Sequence, residues 1–250
     1  MKISTKNNAI NKSIILAGGF GTRLRDRVSD RPKALTEIHG KPFLYYQIEW
    51  LKKQKIRNIL IATHYLSEQI EDFISCYQES SINVSSIREH KPLGTGGAVK
   101  NVVQQSGLNG LFLILNGDTF FNFSLEEAVN NITLSQSRNT VFASLEKDVS
   151  RFGEIITDGD NIIEFKQATG EKKSGLVNLG AYLIETKDII NYEKEVFSME
   201  IDFFPYLIKE KKLFVNYINE QNSFYDFGTK DAFDMIDQAL LFKDFNNDKI

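Results

Sequence analysis

The sequence predicts an α/β protein with a central, mixed but mostly parallel sheet flanked by helices, together with a smaller strand-rich half. Three observations carry that prediction. Apolar runs at residues 14–16, 57–63, 82–89 and 111–115 alternate with segments whose apolar residues recur at helical spacing, the pattern of βαβ units covered on both faces. From about residue 120 the alternation gives way to aromatic and β-branched runs at 140–145, 154–156, 162–165 and 176–184, so this half should hold more strands and fewer crossovers. A chain of 250 residues, 42% hydrophobic and 25% charged, is also long enough to bury one large core.

Taken in order, residues 1–12 are polar and mildly basic and are read as a loose tail, leaving 13–250 as a single domain divisible at about residue 120. The strand at 14–16 runs into Gly18, Gly19 and Gly21. These glycines stop the strand and leave backbone N–H groups open to close approach by a polyanion. Arg23 and, behind Pro32, Lys33 add positive charge to the same loop, so a triphosphate fits it. Two commoner phosphate loops are excluded by spacing: Leu24 stands where the dinucleotide fingerprint needs glycine, and the Gly-Lys-Ser/Thr ending of the P-loop is missing.

Residues 41–54 carry Phe43, Leu44, Ile48 and Leu51 at helical spacing behind Pro42, and 66–77 form a second amphipathic helix on which Cys76 reads as a small buried hydrophobe. A third helix opens within 92–98 and runs to about 105, and the most apolar strand, 111–115, ends at Asn116-Gly117-Asp118. Ligands of open α/β sheets gather at the carboxyl ends of strands, so Asp118 should share a rim with the glycine loop, in place for a metal ligand. Asp158-Gly159-Asp160-Asn161 reads as a hairpin turn, 201–211 as a helix, 213–218 and 224–227 as strands, and Thr229 as the cap of a final helix to about 242.

The totals narrow the function classes. A formal net charge of −3, with basic residues dispersed, gives no reason to expect nucleic acid or an anionic membrane as a partner. The single cysteine and the three histidines at 39, 64 and 90 form no zinc pattern and suit a reducing cytoplasm. The histidines read as surface or core residues.

Gly18-Gly19-Phe20-Gly21-Thr22-Arg23-Leu24 with Pro32-Lys33 resembles the signature of nucleotidyltransferases that join a sugar 1-phosphate to a nucleoside triphosphate. Four further matches follow in family order: Glu89-His90-Lys91-Pro92-Leu93-Gly94-Thr95-Gly96-Gly97-Ala98, Asn116-Gly117-Asp118, Val177-Asn178-Leu179-Gly180-Ala181-Tyr182, and Phe224-Tyr225-Asp226-Phe227-Gly228-Thr229. The likeness spans roughly residues 13–243. Lys41-Pro42-Phe43-Leu44, the Glu89 stretch and Asn116-Gly117-Asp118-Thr119-Phe120 look most like the D-glycero-D-manno-heptose 1-phosphate guanylyltransferases.

The resemblance implies a Rossmann-like nucleotidyltransferase fold, a nucleotide-binding half at 13–119 and an acceptor-binding half with the C-terminal helix at 120–250. It implies Mg²⁺ as cofactor and GTP plus heptose 1-phosphate as substrates, giving GDP-heptose for surface polysaccharide, with a homo-oligomer compatible. Transfer of CMP, UMP or dTMP to another phosphorylated acceptor is the alternative, and a non-catalytic nucleotide-sugar sensor a second. By the same resemblance Leu16, Ala17, Gly18, Gly19, Gly21, Thr22, Arg23, Glu89, Gly94 and Thr95 would hold the nucleotide. Arg23, Lys33 and Asp118 would be catalytic, Asp118 and Asp226 would hold the metal, and Gly153, Lys166 and Asn178 would meet the acceptor. A sugar 1-phosphate already carries an anionic oxygen, so the reaction needs alignment and charge neutralisation rather than a general base. One departure stands out: many relatives have Phe-x-Glu-Lys where this chain has Phe165-Lys166-Gln167-Ala168. Lys166, Lys172 or Lys173 would have to replace the missing lysine.

Overall fold

The computed structural model describes residues 10–19, 30–77, 79–130, 139–219 and 224–226. Its elements in chain order begin with β1 (Lys12–Leu16), a 3₁₀ turn (Lys33–Leu35), the two-residue strands β2 (Glu37–Ile38) and β3 (Lys41–Pro42), and helix α1 (Phe43–Lys53). Then come β4 (Asn58–Thr63), α2 (Ser67–Cys76), β5 (Asn83–Arg88), α3 (Gly94–Ser106), β6 (Leu111–Asn116), β7 (Thr119–Phe121) and α4 (Leu125–Asn130). The second half adds β8 (Asn139–Glu146), β9 (Glu154–Asp158), β10 (Asn161–Lys166), β11 (Gly175–Glu185), α5 (Thr186–Asn191), a π-helical turn (Met199–Phe203), α6 (Phe204–Lys209), β12 (Leu213–Tyr217) and β13 (Phe224–Asp226).

Nine strands form one sheet in the order β5-β4-β1-β6-β11-β8-β12-β10-β9. The pairs β5-β4, β4-β1, β1-β6 and β8-β12 are parallel, whereas β11 runs antiparallel between β6 and β8, and β10 antiparallel between β12 and β9. Only β11 and β10 therefore oppose the common direction. β1 and β6 are apolar on both sides because helices cover both faces of the sheet. Ile15, Leu113 and Leu115 enter a core layer with α1, whereas Ile14, Phe112 and Ile114 enter a second layer with α3 and α6.

Several elements differ from the sequence expectations for identifiable reasons. The expected helix at 201–211 is split: Pro205 has no N–H to donate to the carbonyl four residues back, and a π turn precedes it with Phe203 N–H bonded to Ser198 O at 3.1 Å. Cys76 is exposed, not buried; α2 buries Ile70, and six residues on a helix turn the chain ~120° away from that face. The hairpin turn stands as read, with Gly159 at φ +57° between the paired Asp158 and Asn161. The helix expected from Thr229 lies outside the described residues.

Candidate active site

The chain leaves β1 for β4 and β5 on one side and returns to β6 on the other, so the sheet order reverses between β1 and β6. That switch point opens a crevice at the carboxyl ends of the two strands. Ala17, Gly18 and Gly19 leave β1 on one side of it, and Asn116-Gly117-Asp118 leave β6 on the other. The two rims are joined where Gly117 N–H donates to Leu16 O at 3.1 Å. The cleft extends over the sheet with a cavity volume of about 600 Å³.

Lys33 reaches this crevice from the 3₁₀ turn behind Pro32, where Leu35 N–H donates to Pro32 O at 2.9 Å and Thr36 N–H to Lys33 O at 3.0 Å. Its Nζ lies 2.6 Å from Asp118 Oδ2. A cation and a carboxylate thus meet at the rim, with side chains 17% and 37% exposed, within reach of a ligand in the cleft. Gln47 of α1 donates from Nε2 to Asn116 O at 2.8 Å and to Thr119 O at 2.9 Å, on either side of the Asp118 turn.

Glu89, at the end of β5, forms the wall beyond Gly18. One of its carboxylate oxygens accepts Leu93 N–H at 2.9 Å, and the other lies so close beneath Gly18 that a Cβ there would come within 2.9 Å of it. His64 Nδ1 is 3.0 Å from Glu89 O; the carbonyl can only accept, so Nδ1 carries the hydrogen. Burial pushes the Glu89 carboxyl above its usual range, opposed by the Leu93 N–H and the charge of His64. Next to it α3 begins at Gly94, whose φ of +75° and contact with Phe197 O leave no room for a side chain. The first turn of α3 does not open onto an anion: Gly96 and Gly97 N–H donate to Phe197 O at 3.0 and 3.1 Å.

Phe197 is followed by the polar segment that forms the opposite wall. Glu200 accepts from Tyr182 OH at 3.2 Å, Ser198 Oγ at 3.1 Å and Thr95 Oγ1 at 3.4 Å. Asn178 Nδ2 donates to Tyr182 OH at 3.0 Å, and Asn178 Oδ1 accepts Gly180 N–H at 2.8 Å. Burial, and then the Glu200 carboxylate, hold the Tyr182 phenol well above its ordinary pKa, which keeps its O–H as the donor to Glu200. Phe152 and Phe224 meet edge to face at 5.8 Å and add aromatic surface to a cleft also lined by Leu16, Pro92, Leu93 and Leu179.

Of the residues singled out in the sequence, Leu16, Ala17, Gly18, Gly19, Lys33, Glu89, Gly94, Thr95, Asp118 and Asn178 line this one cleft. Gly153 and Lys166 do not. They belong to the β9–β10 edge of the sheet, where Lys166 pairs in register with Glu154 and is exposed, and Phe152 is that segment's contribution to the cleft. Gly21, Thr22 and Arg23 lie outside the described residues. Of Asp226 the backbone is described, paired with Thr119 across β13 and β7. His64 lines the cleft rather than the surface or core; Phe152 and Glu200 had no signal that named them as site residues, and Phe224 stood only as the first residue of the Phe224–Thr229 motif. Asp158 and Asp160 sit in the β9–β10 hairpin, away from it.

A glycine-flanked crevice at the switch point of an α/β sheet, with lysine and aspartate meeting on its rim, defines the class of nucleotide-handling α/β enzymes. The nucleotidyl transferase family profile matches residues 12–241, and the chain belongs to that family. It is 36% identical over 225 residues to the D-glycero-alpha-D-manno-heptose 1-phosphate guanylyltransferase of Aneurinibacillus thermoaerophilus, covering 89% of this chain and 95% of that one. The enzyme of the same description from Campylobacter jejuni is 36% identical over 181 residues, 72% of this chain and 78% of its own. Among solved structures, HddC from Yersinia pseudotuberculosis complexed with GMP-PN superposes with a TM-score of 0.80 at 29% identity, covering 92% of this chain and 99% of that one. Among the described residues no helix is long and apolar enough to cross a membrane.

Proposed function

We propose that this enzyme transfers GMP from GTP to D-glycero-D-manno-heptose 1-phosphate, releasing pyrophosphate and forming GDP-heptose. The observation that carries the reading is the 2.6 Å approach of Lys33 Nζ to Asp118 at the switch-point crevice; the two guanylyltransferase relatives and the GMP-PN complex of HddC support the choice of base and sugar. Residues 13–119 hold the nucleotide and 120–250 the acceptor. Gly18, Gly19, Gly21 and Thr22 cradle the nucleotide beside Leu16 and Ala17, and Arg23 takes the terminal phosphates. Glu89 accepts from the adjacent N–H donors of guanine, with Gly94 and Thr95 alongside. Asn178 and Glu200 face the sugar hydroxyls.

The reaction is an in-line displacement in which an acceptor phosphate oxygen forms a bond to the α-phosphorus as the bond to the β-phosphate oxygen breaks. Lys33 neutralises charge at the α-phosphate. A divalent cation, Mg²⁺, fits the residues present: Asp118 offers hard carboxylate oxygens at the rim and Asp226 is paired with Thr119, the residue after Asp118. Among the described residues no three metal-ligating side chains converge, and that donor set suits a cation whose other ligands are phosphate oxygens and water. When bound it supplies Lewis-acid charge neutralisation. The test is pyrophosphate release by the purified protein with Mg²⁺, five nucleoside triphosphates and a panel of sugar 1-phosphates. Preference for another triphosphate or another acceptor would overturn the corresponding half of the proposal.

Two further results are expected. Glu89→Gln should lower kcat/KM for GTP by about 10²-fold, because an amide turns a donor toward the donors of guanine, while raising the melting temperature at pH 7 by about 2 °C. The sign follows from the raised carboxyl: the folded state binds this proton more tightly, so stability is lost as pH rises from the unfolded pKa through the folded one. The gain on substitution should therefore vanish near pH 4, which scanning fluorimetry across pH would check. Lys166 is exposed on the β9–β10 edge outside the described cleft; if it serves the acceptor phosphate from there, Lys166→Ala raises the acceptor KM about tenfold and leaves that for GTP unchanged. An unchanged acceptor KM would pass the phosphate-binding role to Lys172 or to Lys173, which is tied to Glu154 at 2.7 Å.

A further inference from the structure

We propose that Gln47 is a positioning residue for the cation site: its amide fixes the turn that carries Asp118 and, with it, the separation of the Asp118 and Asp226 positions. The inference rests on the reading of those two carboxylates as the metal holders. Gln47 lies on the inner face of α1 with 1% exposure. Its two amide hydrogens go to Asn116 O and Thr119 O, at 2.8 and 2.9 Å. These carbonyls bracket Gly117-Asp118, so one side chain closes both ends of the turn.

Two connections extend the clamp. Thr119 is the register partner of Asp226 across β7 and β13, so the carbonyl that Gln47 holds belongs to the residue facing the second carboxylate position. One turn before Gln47, the N-terminus of α1 is tied to the lysine turn, through Phe43 N–H to Thr36 O at 2.9 Å and Thr36 N–H to Lys33 O at 3.0 Å. One helix thus fixes Lys33 and Asp118 relative to each other. Gln47 Oε1 is buried with no hydrogen-bond partner among the described residues, an arrangement that disfavours the amide as mere filler. What it contributes beyond an apolar side chain of its size is the pair of donors.

The test uses the full chain and Mn²⁺ as the probe, titrated by electron paramagnetic resonance in the presence of GTP and without acceptor. Gln47→Met, which keeps the volume and removes both donors, should weaken Mn²⁺ binding about tenfold. In Gln47→Glu burial favours the protonated carboxyl, which keeps one O–H donor, and binding should weaken about threefold. Phe203→Leu, in the opposite core layer, serves as a destabilised control and should leave Mn²⁺ affinity unchanged. A folded Gln47→Met protein with wild-type Mn²⁺ affinity overturns the proposal; if that variant does not fold, wild-type affinity in Gln47→Glu does so. Asp118→Asn separates the two levels. If it weakens Mn²⁺ binding while the Gln47 variants do not, this inference alone fails, and if it too has no effect, the cation site itself is misassigned.

Discussion

Asp118→Asn is expected to reduce turnover by about 10³-fold in a protein that still folds. Asparagine keeps the shape of the side chain, and its carbonyl oxygen can still accept from Lys33. The two side chains are 17% and 37% exposed, and a partly solvated pair of this kind is worth only about 1 kcal/mol or less to stability. The Gln47 and Leu16 bonds that hold the turn use backbone groups and are untouched by the change. What disappears is negative charge where a cation must be held against the phosphates during displacement. Steady-state pyrophosphate release over a Mg²⁺ titration, beside a thermal melt, measures both quantities. Wild-type turnover at limiting Mg²⁺ would remove Asp118 from the reaction.

The half of the fold that carries this aspartate was the more legible half. A strand covered on both faces advertises itself, since neither Ile14 nor Ile15 can be polar when each enters a different core layer. Its helix partners are local in sequence, so βαβ alternation indicates parallel pairing, whereas the placing of β6 on the far side of β1 from β4 and β5 is not encoded in it. The other half follows a less local rule. β11 is inserted antiparallel between β6 and β8, and β12 pairs with β8 rather than with its sequence neighbours; no local pattern encodes such a choice. The short helices α4 and α5 were missed because tertiary bonds anchor them: Gln54 Oε1 accepts Leu125 N–H at 2.8 Å, and Thr186 N–H donates to Gly110 O at 3.0 Å.

The cleft divides in the same way. Gly18, Glu89 and Asp118 could be singled out because each sits in a dense motif at the end of a strand whose direction was already fixed, and Lys33 because of its spacing behind Pro32 in the same motif as the glycine loop. Glu200 and Phe152 could not, because each reaches the cleft only through the return of the second half. Glu200 depends on the 93–97 contact, where Phe197 N–H donates to Leu93 O at 2.9 Å and its carbonyl receives two amides from α3. Gln47 is the plainest case: in the sequence it is one polar position within an apolar helix, and its meaning depends on a turn 69 residues away.

Lys33→Ala is expected to lower kcat by about 10²-fold while changing the KM for GTP by less than about threefold. Lys33 projects from a turn fixed by Pro32 and braced by two backbone hydrogen bonds, so its ammonium is held near one point of the cleft rather than sweeping it. A compact charge held in that way discriminates between a ground-state phosphate and the more concentrated charge of the displacement, which is the condition for raising kcat rather than binding. Arg23, assigned to the terminal phosphates, meets its ligand before and during reaction, and Arg23→Ala should weaken GTP binding together with the rate. Removing Lys33 also leaves Asp118 without its 2.6 Å partner, so added Mg²⁺ should not restore the lost rate, because a better-held cation does not replace charge at the α-phosphate. Single-turnover kinetics with saturating GTP and acceptor separates chemistry from binding and release. A Lys33→Ala enzyme with normal kcat and only a raised KM for GTP would make Lys33 a binding residue and overturn this division of labour.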